Sequence, residues 1–125
     1  MITTQQLTEK VDLMGMRRGV IHQTEKQRCN RALDDVAQIT GYSKEDLLGR
    51  NRSNDLAMAR FCVYLCVVRM GMSYSGAARF LQRNHGTIMH GVKELEKIKS
   101  IVHWGEYERT AMTRMQQLAE MGYRI

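Results

Sequence analysis

One part of the sequence constrains the fold more than any other: the stretch Ser73–His90, together with the helix into which it opens. In that helix Val92 and Leu95 lie within about 40° of Ile88 on a wheel that advances ~100° per residue, and Val102 follows two turns on. The opposite side of the wheel carries small or basic residues: Gly86, His90, Lys93 and Lys97. The pattern predicts a helix that buries an aliphatic stripe and turns a basic face outward.

A shorter helix is predicted just before it. Ser73 is a suitable cap for the exposed amides of a first turn, and Gly76–Ala78 are small enough to let another helix approach closely. The polar run Gln82–Gly86 then breaks the apolar pattern, and Asn84 or His85 caps the second helix. This is the outline of a helix-turn-helix, which presents its second helix to the major groove of DNA.

Arginine is concentrated around this stretch. The chain has 19 Lys and Arg against 13 Asp and Glu, a formal net charge of +6. Between Gly49 and Val92 the only acidic residue is Asp55, whereas the arginines are Arg50, Arg52, Arg60, Arg69, Arg79 and Arg83. A phosphate-binding surface concentrates charge in this way, and the guanidinium fork matches phosphate oxygens and guanine edges. The alternative is a solvated amphipathic helix whose charges only face water.

The segment Phe80–Gly91 reads FLQRNHGTIMHG. It resembles the signature of the C-terminal DNA-binding domain of the bacterial replication initiator DnaA: an aromatic, a short spacer, Arg, Asp, His, a small hydroxyl residue, Thr, an aliphatic pair, His and Ala. Upstream, Val36–Arg60 is similar to the part of the same domain that precedes this signature: a helix, an acidic turn, an Arg-rich loop and a long apolar helix. The likeness covers roughly Asp35–Ser100, about half of the chain.

The resemblance implies an all-α fold: a compact helical domain with a Trp-repressor-like helix-turn-helix that recognises double-stranded DNA at sites like the DnaA box. It does not imply ATP hydrolysis, because that activity belongs to another module of the initiator. Arg83–Thr87 match major-groove and adjacent phosphate contacts, Arg52 matches an arginine that enters the minor groove, and Arg60 matches a phosphate contact. With the charge pattern, the expected DNA-binding residues are Arg50, Arg52, Arg60, Arg79, Arg83, Asn84, His85, Gly86, Thr87, His90 and Lys93.

Three departures from the signature bear on the target sequence. Asn84 stands where the family usually has Asp, so an acceptor that favours a cytosine amino group becomes a mixed donor and acceptor suited to adenine. Gly86 replaces a hydroxyl residue, and Asn51 and Asn54 replace basic residues in the loop. We expect the preferred sequence to differ from the standard DnaA box.

The chain of 125 residues is long enough for one domain with a substantial core, and the absence of proline favours uninterrupted helices. We expect a single helical domain over 1–125, with an N-terminal helical extension over 1–34, the DnaA-like core over 35–100 and a C-terminal helix over 101–125. In that last helix Trp104 and Tyr107 are expected to pack back on the core, with a dimer contact as the alternative.

Capping signals place the helices that precede the helix-turn-helix. Thr24 and Gln27 have capping-box spacing and predict a helix over Glu25–Thr40, after a weaker one over Thr4–Met16. Ser43 opens a short helix that ends before the Arg-rich loop. The long apolar helix is expected over Leu56–Met70.

No catalytic constellation, cofactor motif or metal set stands out, so we expect no enzyme activity and no cofactor. Cys62 and Cys66 have the spacing of two metal ligands, but their apolar surroundings favour buried thiols. Met1–Val20 has no continuous apolar core, and the apolar run Leu56–Val68 is too short to cross a bilayer. A cytoplasmic protein without a membrane partner is expected.

Two functional hypotheses remain. The first is a sequence-specific protein that binds double-stranded DNA and has no ATPase activity of its own. The second is an interaction module in which the same scaffold binds a replication or transcription protein and its basic face meets an acidic partner. The sequence fixes neither the target site nor the oligomeric state.

Overall fold

The computed structural model describes residues 24–125, which form six helices and no strand. The helices are α1 (Glu25–Thr40), α2 (Lys44–Leu48), α3 (Asn54–Arg69), α4 (Tyr74–Leu81), α5 (His85–Ile98) and α6 (Glu106–Glu120). The all-α prediction is confirmed. The predicted helix over Thr4–Met16 lies outside the described residues.

Side-chain caps start helices α1, α2 and α4 where the sequence predicted. In α1 the hydroxyl of Thr24 accepts from the amide of Gln27 and the Gln27 side chain accepts from the amide of Thr24, which completes the predicted capping box. Ser43 and Asp46 form a second box at α2. At the start of α4, the hydroxyl of Ser73 accepts from the amide of Gly76 at 3.0 Å. Each cap satisfies an amide that the helix itself leaves without an acceptor.

Helix α3 occupies the centre of the fold. Ten of its sixteen residues are buried, so it has almost no face left for solvent, and α1, α4, α5 and α6 pack around it. It begins at Asn54, two residues before the predicted start, because the hydroxyl of Ser53 accepts from the amide of Leu56 at 3.1 Å. The buried side chains of α3 therefore form the surface on which the other helices are oriented.

Helix α5 approaches α3 most closely at Gly91. A Cβ atom at Gly91 would lie 2.6 Å from Cδ1 of Phe61 and 2.8 Å from Cδ2 of Tyr64, closer than carbon atoms can pack. The absence of a side chain thus lets the two helices touch, while the predicted stripe of Ile88, Val92 and Leu95 is buried. The seating of α5 is set by this contact.

The prediction for the residues after α5 is wrong at both ends of the C-terminal helix. Helix α5 ends at Ile98, and the predicted stripe member Val102 is 85% exposed. Helix α6 starts at Glu106 and ends before Gly122, whose φ of 107° lies in the left-handed region. A tight turn, in which the Ser100 hydroxyl donates to the carbonyl of Lys97 (2.9 Å), ends α5 early.

Trp104 and Tyr107 differ in their burial. Tyr107 packs against the core as expected, whereas Trp104 stays 39% exposed and donates from Nε1 to the carbonyl of Ile101 at 2.7 Å. The expected core position is therefore wrong for Trp104. Its indole nitrogen is satisfied within the linker, so only apolar ring surface is left facing water.

Polar bonds also hold α6 against the rest of the domain. The side chain of Arg114 is 10% exposed and donates to the Asp55 carboxylate at 3.0 Å, and the Tyr42 hydroxyl donates to the same carboxylate at 2.7 Å. At the end of the chain the Tyr123 hydroxyl donates to Asp35. Residues beyond α5 therefore complete the same core.

Replacing Gly91 with Ala should destabilise the protein by about 1–2 kcal/mol in total, because the new methyl group overpacks the contact with Phe61 and Tyr64 at a cost of about 2–3 kcal/mol. This cost exceeds the roughly 1 kcal/mol that alanine gains over glycine inside a helix. Urea unfolding measures the difference. The matched control is Lys93→Ala, an exposed position on the same helix, which should change stability by less than about 0.5 kcal/mol. A Gly91→Ala protein as stable as the wild type would contradict the close approach.

The hydrogen bond from Arg114 lowers the pKa of Asp55 below its usual value. This contribution to stability is present above the unfolded-state pKa of about 3.9 and is lost as the pH falls through the lower folded-state pKa. Asp55→Asn should therefore reduce stability at neutral pH and flatten its decline on acidification below about pH 4. Unfolding midpoints measured across this range test it, and Arg114→Leu should flatten the same decline. An Asp55→Asn protein with a wild-type acid slope would contradict the assignment.

Candidate nucleic-acid interface

The turn between α4 and α5 consists of Gln82, Arg83 and Asn84. Gln82 is the one non-glycine residue with a positive φ in residues 24–125, at φ 56° and ψ 49°. Its amide and that of Arg83 both donate to the carbonyl of Ala78, which closes the end of α4. A left-handed glutamine could not be predicted from residue type, because this conformation ordinarily favours Gly or Asn.

The start of α5 is presented to solvent. Asn84 caps it by accepting the amide proton of Gly86 on Oδ1 at 2.7 Å. His85, Gly86 and Thr87 are exposed in the first turn, and His90 and Lys93 are exposed in the next two. Within residues 24–125, none of these four side chains (His85, Thr87, His90 and Lys93) makes a hydrogen bond or ion pair. A helix N-terminus also carries partial positive charge from its free amides, so this turn is suited to polar or anionic groups.

The aliphatic side of α5 explains this presentation. Ile88 and Leu95 are fully buried and Val92 is 3% exposed, which fixes the rotation of the helix about its axis. The ring of His90 leans edge-on against Phe61, with 5.7 Å between the ring centroids. The predicted outward face of α5 is thus the face that the fold leaves open.

Two arginines connect this turn to the loop that follows α2. Arg83 is half-buried, and its Nη2 donates to the carbonyl of Gly49 at 2.6 Å and to that of Leu48 at 3.3 Å. In the other direction, Nη2 of Arg50 donates to the carbonyl of Gln82 at 3.3 Å. The loop and the start of α5 are therefore held together, and Arg83 acts here as a brace between them, a role that the sequence did not reveal.

The structure corrects the expectation for Arg60. Its side chain is buried, and its Nε and Nη2 donate to the carbonyls of Leu47 (3.2 Å) and Asp46 (2.8 Å). Its Nη1 donates to the carbonyl of Asn51 at 2.7 Å, so all three nitrogens have acceptors. Burial, and secondarily the charge of Arg83, lower the pKa of Arg60. Arg60 supports the loop from inside and is not placed to contact a phosphate.

The other arginines between Gly49 and Val92 also differ in their partners. Arg69 forms an ion pair with Glu96, and the exposed Arg79 lies 3.7 Å from Glu25 in a looser pair. The exposed side chain of Arg52 has no hydrogen bond or ion pair to any residue that the structure describes. We use the term basic face for the exposed cationic and polar set, which comprises Arg50, Arg52, Arg79, His85, Thr87, His90, Lys93 and Lys97.

The remaining reactive groups support structure. Cys29, Cys62 and Cys66 are buried free thiols, and burial raises the pKa of the Cys62 thiol to about 12. Among residues 24–125 no group of three or more His, Cys, Asp or Glu side chains is arranged to hold a metal ion. In the same part of the chain, no helix combines the length and apolar character needed to cross a membrane.

Comparisons with known proteins match the same region. Residues 30–95 match the family described as "Bacterial dnaA protein helix-turn-helix". The chromosomal replication initiator protein DnaA of Pseudothermotoga lettingae is 29% identical over 69 residues, which are 54% of this chain and 16% of that protein. DnaA 1 of Chlamydia pneumoniae is 28% identical over 68 residues, 54% of this chain and 15% of the relative.

A third match covers more of the chain. DnaA 2 of Chlamydia caviae is 26% identical over 96 residues, which are 74% of this chain and 21% of that protein. The matches thus cover about a fifth or less of these relatives' lengths. No solved structure matches this chain. Because the family match runs from within α1 to within α5 and includes the whole turn between α4 and α5, the chain belongs to the family of the bacterial dnaA protein helix-turn-helix, a DNA-binding domain.

Proposed function

We propose that this protein binds double-stranded DNA at a specific sequence, with the first turn of α5 in the major groove. The observation that carries the proposal is the exposed set His85, Thr87, His90 and Lys93, which has no polar partner among residues 24–125, on a helix whose other side is buried. In this arrangement the first turn meets base edges and Lys93 lies nearer the phosphates. Binding is an equilibrium of contacts and involves no ATP hydrolysis or other catalysis by these residues.

The braced loop supports a second point of contact. Because Arg83 and Arg50 tie the loop to the turn, Arg52 is held in a fixed relation to the start of α5. We place Arg52 in the minor groove next to the major-groove site, with Arg50 and Arg79 near phosphates. Their exposure allows this without breaking a buried bond. Arg60 is left out because it is buried and each nitrogen of its guanidinium already donates to a carbonyl.

A DNA target also suggests where and with whom the protein acts. The relatives are named as chromosomal replication initiators. We propose a cytoplasmic role in the control of replication or transcription, in which the bound duplex brings the protein to a replication or transcription partner.

The competing proposal is an interaction module that binds such a partner directly. It is favoured by the exposed apolar side chains of Val102 and Trp104, which belong to the linker between α5 and α6 and not to the basic face. In that case affinity for duplex DNA is low at moderate salt. Titrating duplex at two salt concentrations separates the proposals, since phosphate contacts make log affinity fall with log salt by nearly one unit per contact.

Selection from a pool of randomised duplexes should return one enriched motif. Against that motif, His85→Ala and Thr87→Ala should each weaken binding by ~1–3 kcal/mol, and they should weaken binding to unrelated duplexes much less. The physical reason is that these exposed side chains face base edges in the proposed docking. Fluorescence anisotropy with both duplexes measures the difference. A selection without an enriched motif would contradict sequence-specific binding.

Lys93→Ala should weaken binding to all duplexes about equally and lower the salt slope by about one unit, because it removes one phosphate contact. The matched control is Lys44→Ala, which removes an exposed lysine paired with Asp34 on a different helix. It should leave affinity and salt slope unchanged. A Lys93→Ala protein that lost affinity for the selected motif alone would show that Lys93 reads bases.

A further inference from the structure

We propose that Arg60 is a positioning residue for DNA recognition: it holds Arg52 in place for the minor groove and acts through Arg52, not through a DNA contact of its own. The inference rests on the proposed function, in which Arg52 enters the minor groove beside the α5 site. It replaces the phosphate contact that the family resemblance implied for Arg60.

The guanidinium of Arg60 reaches the Arg-rich loop from inside the domain. Arg60 belongs to the central helix α3 and is only 9% exposed, so little of it can meet a duplex. Its Nη1 donates to the carbonyl of Asn51 at 2.7 Å, while Nε and Nη2 donate to carbonyls of α2 at 3.2 and 2.8 Å. Because the guanidinium is planar and rigid, these bonds keep the loop in a fixed relation to α2 and α3.

The bond to Asn51 bears directly on Arg52. The carbonyl of Asn51 and the amide of Arg52 belong to one peptide unit, and a peptide unit is planar. Holding this carbonyl on the Arg60 guanidinium therefore fixes the plane through which the chain enters Arg52.

The other side of Arg52 is anchored as well. The hydroxyl of Ser53 accepts from the amide of Leu56 at 3.1 Å, and the carbonyl of Ser53 accepts from the amide of Ala57 at 2.9 Å. Arg52 is thus a single exposed residue between two anchored neighbours, and its side chain has no polar partner within residues 24–125. Its backbone has little freedom left to lose on binding, which lowers the entropic cost of using it for recognition.

This placement has a consequence for the target sequence. Arginine in the minor groove favours A·T pairs, because A·T-rich tracts narrow the groove and make its potential more negative. We therefore expect the target to contain an A·T-rich element read by Arg52 beside the element read by α5. Loss of the Arg60 bonds should weaken the preference for the A·T-rich element and leave the α5 element intact.

The test is a selection from randomised duplexes with the wild-type protein, Arg52→Ala, Arg60→Lys and the double variant. Lysine keeps the positive charge, but its single ammonium cannot reproduce the planar fork that joins three carbonyls. Arg60→Lys should therefore lose the A·T-rich element, as Arg52→Ala does, and keep the α5 element.

Affinities for the wild-type motif give the same comparison as a double-mutant cycle. Arg52→Ala should weaken binding about 10-fold and Arg60→Lys about 3- to 10-fold. In the Arg52→Ala background, Arg60→Lys should change affinity by less than about 2-fold, because its effect passes through Arg52.

Arg69→Lys is the matched control, since it makes the same substitution on the same helix at an arginine that pairs with Glu96 and lies outside the basic face. It should leave the motif and the affinity unchanged. Retention of the α5 element by Arg60→Lys, together with an unchanged circular dichroism spectrum, shows that this variant is folded.

Arg60→Met separates positioning from a phosphate contact. In the Arg52→Ala background it should leave the salt slope unchanged. If Arg60 bound a phosphate, methionine would lower the salt slope by nearly one unit and lysine would behave like the wild type, which would overturn the inference.

Three other results would also overturn it: a wild-type motif without an A·T-rich element, additive losses in the double variant, or loss of both elements together in Arg60→Lys. A wild-type selection without any enriched motif is a different failure, because it would remove the proposed function itself.

Discussion

The end of α2 depends on guanidinium groups from two other parts of the chain, a helix and a turn. A helix of five residues leaves its last carbonyls without intrahelical donors, and every carbonyl from Asp46 to Gly49 accepts a bond from Arg60 or Arg83. Arg60 comes from the central helix and Arg83 from the turn before α5. The same bonds that complete α2 therefore fix the Arg-rich loop against the start of α5.

This constraint divides the positive charge of the chain between two tasks. Burial makes the charge of Arg60 costly, and the nearby charge of Arg83 adds to that cost, so the pKa of Arg60 is lowered. Carbonyl acceptors offset that cost. The exposed side chains of Arg52 and Lys93 have no such partners in the described part of the chain. A count of arginines in the sequence does not separate the two groups, because the same side chain serves either purpose.

Helix boundaries could be predicted from the sequence wherever a local interaction sets them. The capping box of Thr24 and Gln27 and the left-handed Gly41 define α1 with the predicted bounds. The prediction failed after Ile98, where apolar residues continue the helical period although the chain turns. Periodicity indicates which side chains could be buried together on one face of a helix. Val102 is not buried with the others, because the turn closed by Ser100 and Lys97 ends α5 before it. The candidate site was predicted in part for the same reason: the exposed turn of α5 follows from its stripe, whereas the position of Arg60 does not.

By itself, the sequence determined the all-α fold, the helix-turn-helix and the outward basic side of α5, because caps and the 3.6-residue period act between neighbours in the chain. Only the tertiary structure decided which arginines face inward, how closely α5 approaches α3 at Gly91, and where the C-terminal helix begins. It also decided that Oδ1 of Asn84 accepts the amide proton of Gly86 and so caps α5. These outcomes depend on groups distant in sequence or on the geometry of a single bond, and residue type alone specifies neither.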